Sequence, residues 1–373
     1  MLYEIHMLKN YPSTNLNRDD SGAPKTCVFG GVTRGRISSQ CLKRSWRTSA
    51  LFRERVGEEN LGIRTRELPE LVSNALAARG MEEGQIQPWL AKVTGIANKE
   101  GKENKDANRT SQVIFYSEQD IEAVADVIEN LIRSGEKKVS AKEIQTMVKD
   151  AALRPITLDI ALFGRMVTSD AFRDVEAAMQ VAHAVSTNRV VMESDYFTAM
   201  DDLLTGDSME SSGSGMIGEI DYNSACYYIY AALDADALRD NLSYSQDPES
   251  IVKAAIPALL ETMALTNPSG KQNSFAGHVL PSAVLVECKG KKIPVSYVNA
   301  FTEPAYASAK QDLVANSIEK LVEECNMLSR NYNIPVEKRI WFCVDKYSIA
   351  GPQQAVVCGA FDQLLREVRD VLK

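Results

Sequence analysis

The sequence has no run of eighteen apolar residues, which excludes a membrane-spanning helix built from one continuous stretch. It also lacks a C-x-x-C pair. The seven cysteines (Cys27, Cys41, Cys226, Cys288, Cys325, Cys343 and Cys358) are scattered and odd in number, which argues against zinc and fits a reducing cytoplasm. Histidine is scarce: His6, His183 and His278 stand far apart, so neither a Ser/His/Asp nor a Cys/His group can be assembled. There is no G-x-x-x-x-G-K-[ST] element, which excludes a Walker phosphate loop. No fixed-period repeat is present. No cofactor and no resident metal are expected.

What is there is ordinary in bulk and unusual in one place. The 373 residues suffice for about two or three domains, and 45% hydrophobic with 25% charged residues is typical of globular chains. The first residues, Met1 to Pro12, carry Glu4 and His6 inside an apolar run without a basic leader, and read as a first strand rather than a signal peptide. The unusual place is Lys25 to Arg55. It holds eight cations (Lys25, Arg34, Arg36, Lys43, Arg44, Arg47, Arg53 and Arg55) against the single acid Glu54, a net +7 inside a chain of net −8. Such an island is placed to meet a polyanion.

Ile37-Ser38-Ser39 reads as a helix start, because a serine hydroxyl accepts an orphan backbone N–H there. Cys41 stands three residues after Ser38, so the capping-box spacing is not met and the cap residue stays open. Beyond it Gln40, Lys43, Arg44 and Arg47 share one helical stripe, while Leu42, Ser45, Trp46 and Ser49 fall opposite and can pack inward. Three cations and an amide in line suit a row of phosphates. A solvated surface face usually carries acidic partners, which this stripe lacks.

The remaining pattern predicts a strand over 2–8, a long loop over 10–36, and the basic helix running to about Val56. The region 57–155 reads as a mostly helical insertion. A helix is expected over 117–134, stopped by Gly135, and a second one opened by the box Ser140 to Glu143. Residues 98–111 are nearly devoid of apolar side chains and read as a mobile loop. A strand is predicted over 156–162, a helix over 170–187, and a flexible Gly/Ser tip over 207–218. Then come a strand over 222–233, a helix over 248–265, a strand over 281–288, a long helix over 307–331, a strand over 339–344 and a closing helix over 353–372. Strand, helix, strand, strand, helix, strand suggests an α+β, ferredoxin-like or RRM-like unit, a sheet type that binds single-stranded RNA on one open face.

Asn15 to Asp20, Phe29-Gly30-Gly31, Arg36 to Gln40 and Leu42-Lys43-Arg44 closely resemble the CasC family, the crRNA-binding backbone subunits of type I-E CRISPR Cascade in the RAMP superfamily. Collinear matches follow at Ala161 to Met166, Ala178 to Ala184, Phe197 to Asp202 and Gly270 to Gln272. The resemblance implies an RRM-like palm in two parts (1–56 and 222–373), helical fingers at 57–155, a palm/fingers junction at 156–194 and a thumb at 195–221. It implies partners: crRNA, target DNA through the guide, further copies of the chain in a helical filament, and the other Cascade subunits CasA, CasB, CasD and CasE, with no membrane. It implies RNA binding by Arg18, Lys25, Ser38, Gln40, Lys43, Arg44 and Arg47. It implies RNA binding by Arg165 as well, while Met166 and Phe197 fall where the family wedges apart guide bases, with Tyr196 as the alternative to Phe197. Lys271 and Gln272 follow Gly270, whose lack of a side chain lets backbone N–H groups approach a phosphate. Gly30-Gly31 reads either as a tight turn or as a close approach to RNA.

A cytoplasmic, non-enzymatic scaffold is thus expected. The rival reading is a metal-dependent RNA endonuclease of the same superfamily using a loop aspartate, Asp19 or Asp20, since paired carboxylates hold Mg²⁺. A metabolic enzyme has no motif in its favour. His183, inside an Ala-rich stretch, is expected to be a hydrogen-bonded core residue. Met166 and Phe197 are, on residue type alone, core candidates. The thumb tip is somewhat acidic, which argues against direct contact with phosphate.

Overall fold

A long first strand, Leu2–Thr14, runs through the centre of the main sheet and is buried on both faces over its first eight residues. It exceeds the expected 2–8 because Tyr11 and Thr14 also point inward. The computed structural model describes residues 1–136, 138–150, 154–199 and 216–372. They form two compact units, one of Met1–Phe52, Val181–Ala232 and Pro257–Lys373, the other of Arg53–Gln180 and Leu233–Ile256.

In the first unit eight strands lie side by side in the order Ala355–Cys358, Lys338–Cys343, Ala283–Lys289, Leu2–Thr14, Met216–Asp234, Ala184–Ser186, Val32–Ile37 and Thr26–Phe29. The first strand pairs antiparallel with Ala283–Lys289, Ile5 opposite Val286. The helix Leu313–Tyr332 turns Val314, Ile318, Leu321 and Cys325 onto one side, where they join Leu2, Leu8, Leu285, Tyr297 and Trp341 in a core. Asp312 caps its start and Asn333, in the left-handed region, ends it.

The expected loop over 10–36 is partly regular. Thr26–Phe29 and Val32–Ile37 form a hairpin in which Phe29 faces Val32, leaving Gly30-Gly31 as a two-residue turn. Both glycines have positive φ (+60° and +79°), as a right-twisting two-residue turn requires. A side chain on Gly30 would also strike the Thr302 carbonyl, so the tight-turn reading of this pair is the one realised. The closing helix over 353–372 proves to be a strand, Ala355–Cys358, parallel to Lys338–Cys343, followed by a helix, Phe361–Val371.

The second unit is helical. Glu118–Ser134 opens on reciprocal bonds between Ser117 and Asp120 and closes on left-handed Gly135; Ala141–Asp150 opens on Ser140 and Glu143. Leu76, Val93, Val124, Ile128 and Ile144 are among its core residues. Two expectations fail. The run 156–162, which alternates apolar and other residues, is instead the short helix Leu158–Phe163, because so brief an alternation does not decide between strand and helix. The helix expected over 170–187 is loop followed by two three-residue strands, Met179–Val181 and Ala184–Ser186. Residues 207–215 of the expected Gly/Ser tip lie outside the described residues, and from Met216 the chain is already in a strand. The whole is α+β, a large mixed sheet with inserted helices, consistent with an RRM-like palm. Among the described residues no helix is long and apolar enough to cross a membrane.

Candidate nucleic-acid interface

The basic helix is Ser39–Arg47, and Ser38 is its cap: the Ser38 hydroxyl accepts from Cys41 N at 3.2 Å, and the Asn17 side chain accepts from Ser38 N at 2.9 Å. Leu42 and Trp46 are buried, which turns the opposite stripe outward. Gln40 and Arg44 are exposed, and Lys43 and Arg47 half-exposed. Among the described residues neither Lys43 nor Arg44 meets a carboxylate, and the first turn holds no acid. The helix ends at Thr48, whose N–H donates to Arg44 O, sooner than the expected Val56; a separate helix, Ala50–Val56, follows.

Beside the start of this helix lies an open cleft lined by residues 16–22, Cys41, Ser269 and Gly270. Arg18 stands exposed on its rim. The Lys25 backbone ties the N-terminal loop to the hairpin, donating to Asn17 O and accepting from Arg36 N. Gly270 runs so close to the N-terminal loop that a side chain there would strike Leu16 O and Asn15 O. The glycine therefore serves a contact between two protein segments. Lys271 takes a left-handed conformation (φ +51°) and starts the short helix Gln272–Phe275, while the Gln272 amide donates to Pro268 O at 2.8 Å. Arg18, Lys25, Gln40, Lys43, Arg44, Arg47 and Lys271 thus belong to one unit, and sequence segments some 230 residues apart meet at one cleft.

Asp19 is occupied by its own loop. One carboxylate oxygen accepts from Ser21 N, Ser21 Oγ and Ala23 N, and the Ser21 hydroxyl, with those backbone donors, holds this carboxyl below the usual range. Among the described residues no three His, Cys, Asp or Glu side chains gather as a metal site would require.

Several residues singled out by type sit elsewhere than type suggested. Arg34, part of the basic island, is fully buried and donates to five carbonyls, those of Phe29, Ser186, Thr187, Phe301 and Thr302. Arg36 donates to Thr26 O and contacts His183 Nδ1. His183 is exposed rather than core; burial, then Arg36 and Lys25, lower its pKa. Ser38 is a cap, and its hydroxyl is turned to the backbone rather than to a ligand. Arg165 is also withdrawn: it is buried in the second unit, donates to Phe115 O and Arg173 O, and pairs with Asp120 at 2.5 Å. Its neighbour Met166 is the reverse, 94% exposed, so a core role for it is overturned. Phe197 is half-buried with its ring over Gly218, on the strand Glu193–Ala199, while Tyr196 on the other face is exposed.

One feature of the sheet escaped sequence reasoning. Glu4, His6, Glu287, Lys289 and Arg339 form a charge cluster buried beneath the helix Leu313–Tyr332. Glu287 pairs with Lys289 and Arg339 and accepts from Tyr297 Oη; Glu4 pairs with Lys289 and accepts from Tyr230 Oη and Val295 N. Burial, opposed by Glu287 and reinforced by Lys289, holds His6 down to about 3, so it is neutral and bonded to Tyr228 Oη. Burial raises Glu287, but Lys289 and Arg339 outweigh it and the net shift is downward. Two acids and two cations balance, sealed from water. The only signal in the sequence was Glu4 and His6 inside an apolar strand.

Comparison with known proteins agrees with this architecture. One similar structure is a chain of a "CRISPR RNA-guided surveillance complex, pre-nicking", 24% identical with a TM-score of 0.82 over the full length of both chains. Another is a chain of a "CRISPR RNA-guided surveillance complex", 21% identical with a TM-score of 0.62, again over both full lengths. At such identities the likeness concerns the fold. No curated protein matches. A family model described as "CT1975-like protein" matches residues 3–367, nearly the whole chain, and the chain therefore belongs to the CT1975-like protein family.

Proposed function

We propose that this chain is a non-catalytic backbone subunit of a CRISPR RNA-guided surveillance complex, of the CasC type in a type I-E Cascade. In this reading it binds crRNA through phosphates, in several copies along one guide, beside CasA, CasB, CasD and CasE. The observation that carries the reading is the outward row of Lys43, Arg44 and Arg47 on a capped helix whose first turn holds no acid, next to a cleft formed with the Arg18 and Lys271 loops. The two similar structures, both chains of CRISPR RNA-guided surveillance complexes, support the assembly, and the motif resemblance supports the subtype. Phosphate contacts ignore base identity, as binding to variable spacers demands. Exposed Met166 suits a wedge between guide bases, where an apolar side chain stacks without reading sequence, and Tyr196 with Phe197 offers a second. Arg165 acts here by holding the Met166 segment to Asp120 rather than by touching RNA. Asp19, occupied by its loop, takes no catalytic step.

If Arg18, Lys25, Lys43, Arg44 and Arg47 each neutralise one phosphate, the single-strand salt slope is roughly −3.5 per protomer. Replacing Lys43 and Arg44 with alanine is expected to reduce it by about 1.4 and to strip co-purifying RNA. Unchanged RNA content and slope would sink the assignment. Target RNA incubated with Mg²⁺ and the assembled complex should remain intact.

A further inference from the structure

Lys9 is an anomaly that the proposed function does not use. It lies in the first strand, 1% exposed, with no carboxylate bonded to it among the described residues. An ammonium in such a place needs strong acceptors. It finds Thr266 O at 2.9 Å, just beyond the last residue of the helix Pro248–Leu265, whose final residues belong to the same unit. A cation is favoured at that end of a helix, where carbonyls point outward unpaired. Its second acceptor is Asn267 Oδ1 at 3.5 Å, and the same oxygen accepts from Tyr11 Oη at 2.7 Å.

Residues 9 and 11 project from one face of the strand, so both donors converge on a single turn. From that turn the chain continues through Pro268, whose carbonyl takes the Gln272 amide, to Gly270 pressed on Leu16 O, and then to Lys271. Every bond in this series fixes the course of 266–272.

We propose that Lys9 and Tyr11 are positioning residues that lock the turn at Asn267 and thereby set Lys271 on the rim of the cleft, where it meets a phosphate of a single-stranded RNA. The proposal rests on the RNA-binding reading above and adds the device that aims one of its cations. Lys9 itself never meets the ligand.

The test is a double-mutant cycle on the full chain, with a fluorescein-labelled single-stranded RNA of mixed sequence. Lys271→Ala is expected to weaken binding about five- to tenfold, the value of one charge-assisted contact. Lys9→Met is expected to weaken it by a similar factor, yet to add nothing in the Lys271→Ala background, because the two act as one unit. Amide hydrogen exchange should quicken at 269–273 in Lys9→Met and stay unchanged in the helix Ser39–Arg47. Asn267→Leu, which removes the shared acceptor, should reproduce Lys9→Met and replaces it if that variant does not fold. Asn267→Asp, which keeps an acceptor for both donors, should restore binding. Full additivity of Lys9→Met with Lys271→Ala, or unaltered RNA affinity in both Lys9→Met and Asn267→Leu, overturns the positioning role. Failure of the RNA-binding reading is recognised separately, by unaltered affinity in the Lys43→Ala, Arg44→Ala double variant.

Discussion

The basic helix and the cluster under the long helix draw on the same kinds of side chain and arrive at opposite states. Around Glu287 every charge is answered: two acids face two cations, three tyrosines bond to the cluster, and its side chains are buried. On Ser39–Arg47 three cations stand in line with an acid-free first turn, and the exposed Arg44 is the plainest of them. A charged group marks a binding surface when the fold leaves it unanswered, and a structural one when the fold has closed around it. Arg34 and Arg44 make the point within ten residues of sequence: one is consumed by five carbonyls, the other faces out.

The contrast can be broken from either side. The largest effect is expected from Glu287→Ala, which strands Arg339 in the interior, leaves Lys289 with Glu4 alone and should cost about 3–5 kcal/mol in urea unfolding. A loss near that of a surface substitution would show the cluster to be hydrated. Next is acid. His6 is held below its unfolded value, so the unfolded chain takes up the proton more readily and the stabilisation, complete above pH 6.5, drains away as pH falls towards 3. Between pH 7 and pH 4 this should remove roughly 3 kcal/mol, read as a falling urea midpoint. A pH-independent midpoint would contradict the sealed site. On the helix the expected change in stability is small. Lys43→Ala with Arg44→Ala should move it by less than about 0.5 kcal/mol while RNA retention collapses. Smallest of all is Met166→Ala, expected to leave stability and assembly essentially unchanged, within about 0.5 kcal/mol, and to alter only the periodic chemical reactivity of guide bases. An unaltered periodicity would leave Met166 without a role at the guide.

Much of this was legible beforehand where the controlling interactions are local. The stripe of the basic helix, the Ser140–Glu143 box and the Gly135 stop depend on residues close along the chain, and the structure contains each of them. In the run 156–162 the apolar residues 156, 158, 160 and 162 alternate as in a strand, but seven residues are too few to separate that pattern from a short buried helix. The place of Arg165 in a motif suggests a ligand contact, but its partner Asp120 lies 45 residues upstream, and no spacing rule connects them.

The amino-acid sequence by itself determined that a helix begins near Ser38-Ser39 and that its cations share one side. Both follow from backbone dihedrals and a 3.6-residue period, which neighbouring residues dictate. Only the tertiary structure decided which charges stay open. The acceptors that silence Arg34 come from segments near 29, 186 and 301, and the one that holds Lys9 is 257 residues away. Whether a cation is free to meet a phosphate depends on carbonyls and carboxylates brought to it by folding, and their arrival is a property of packing, not of order along the chain.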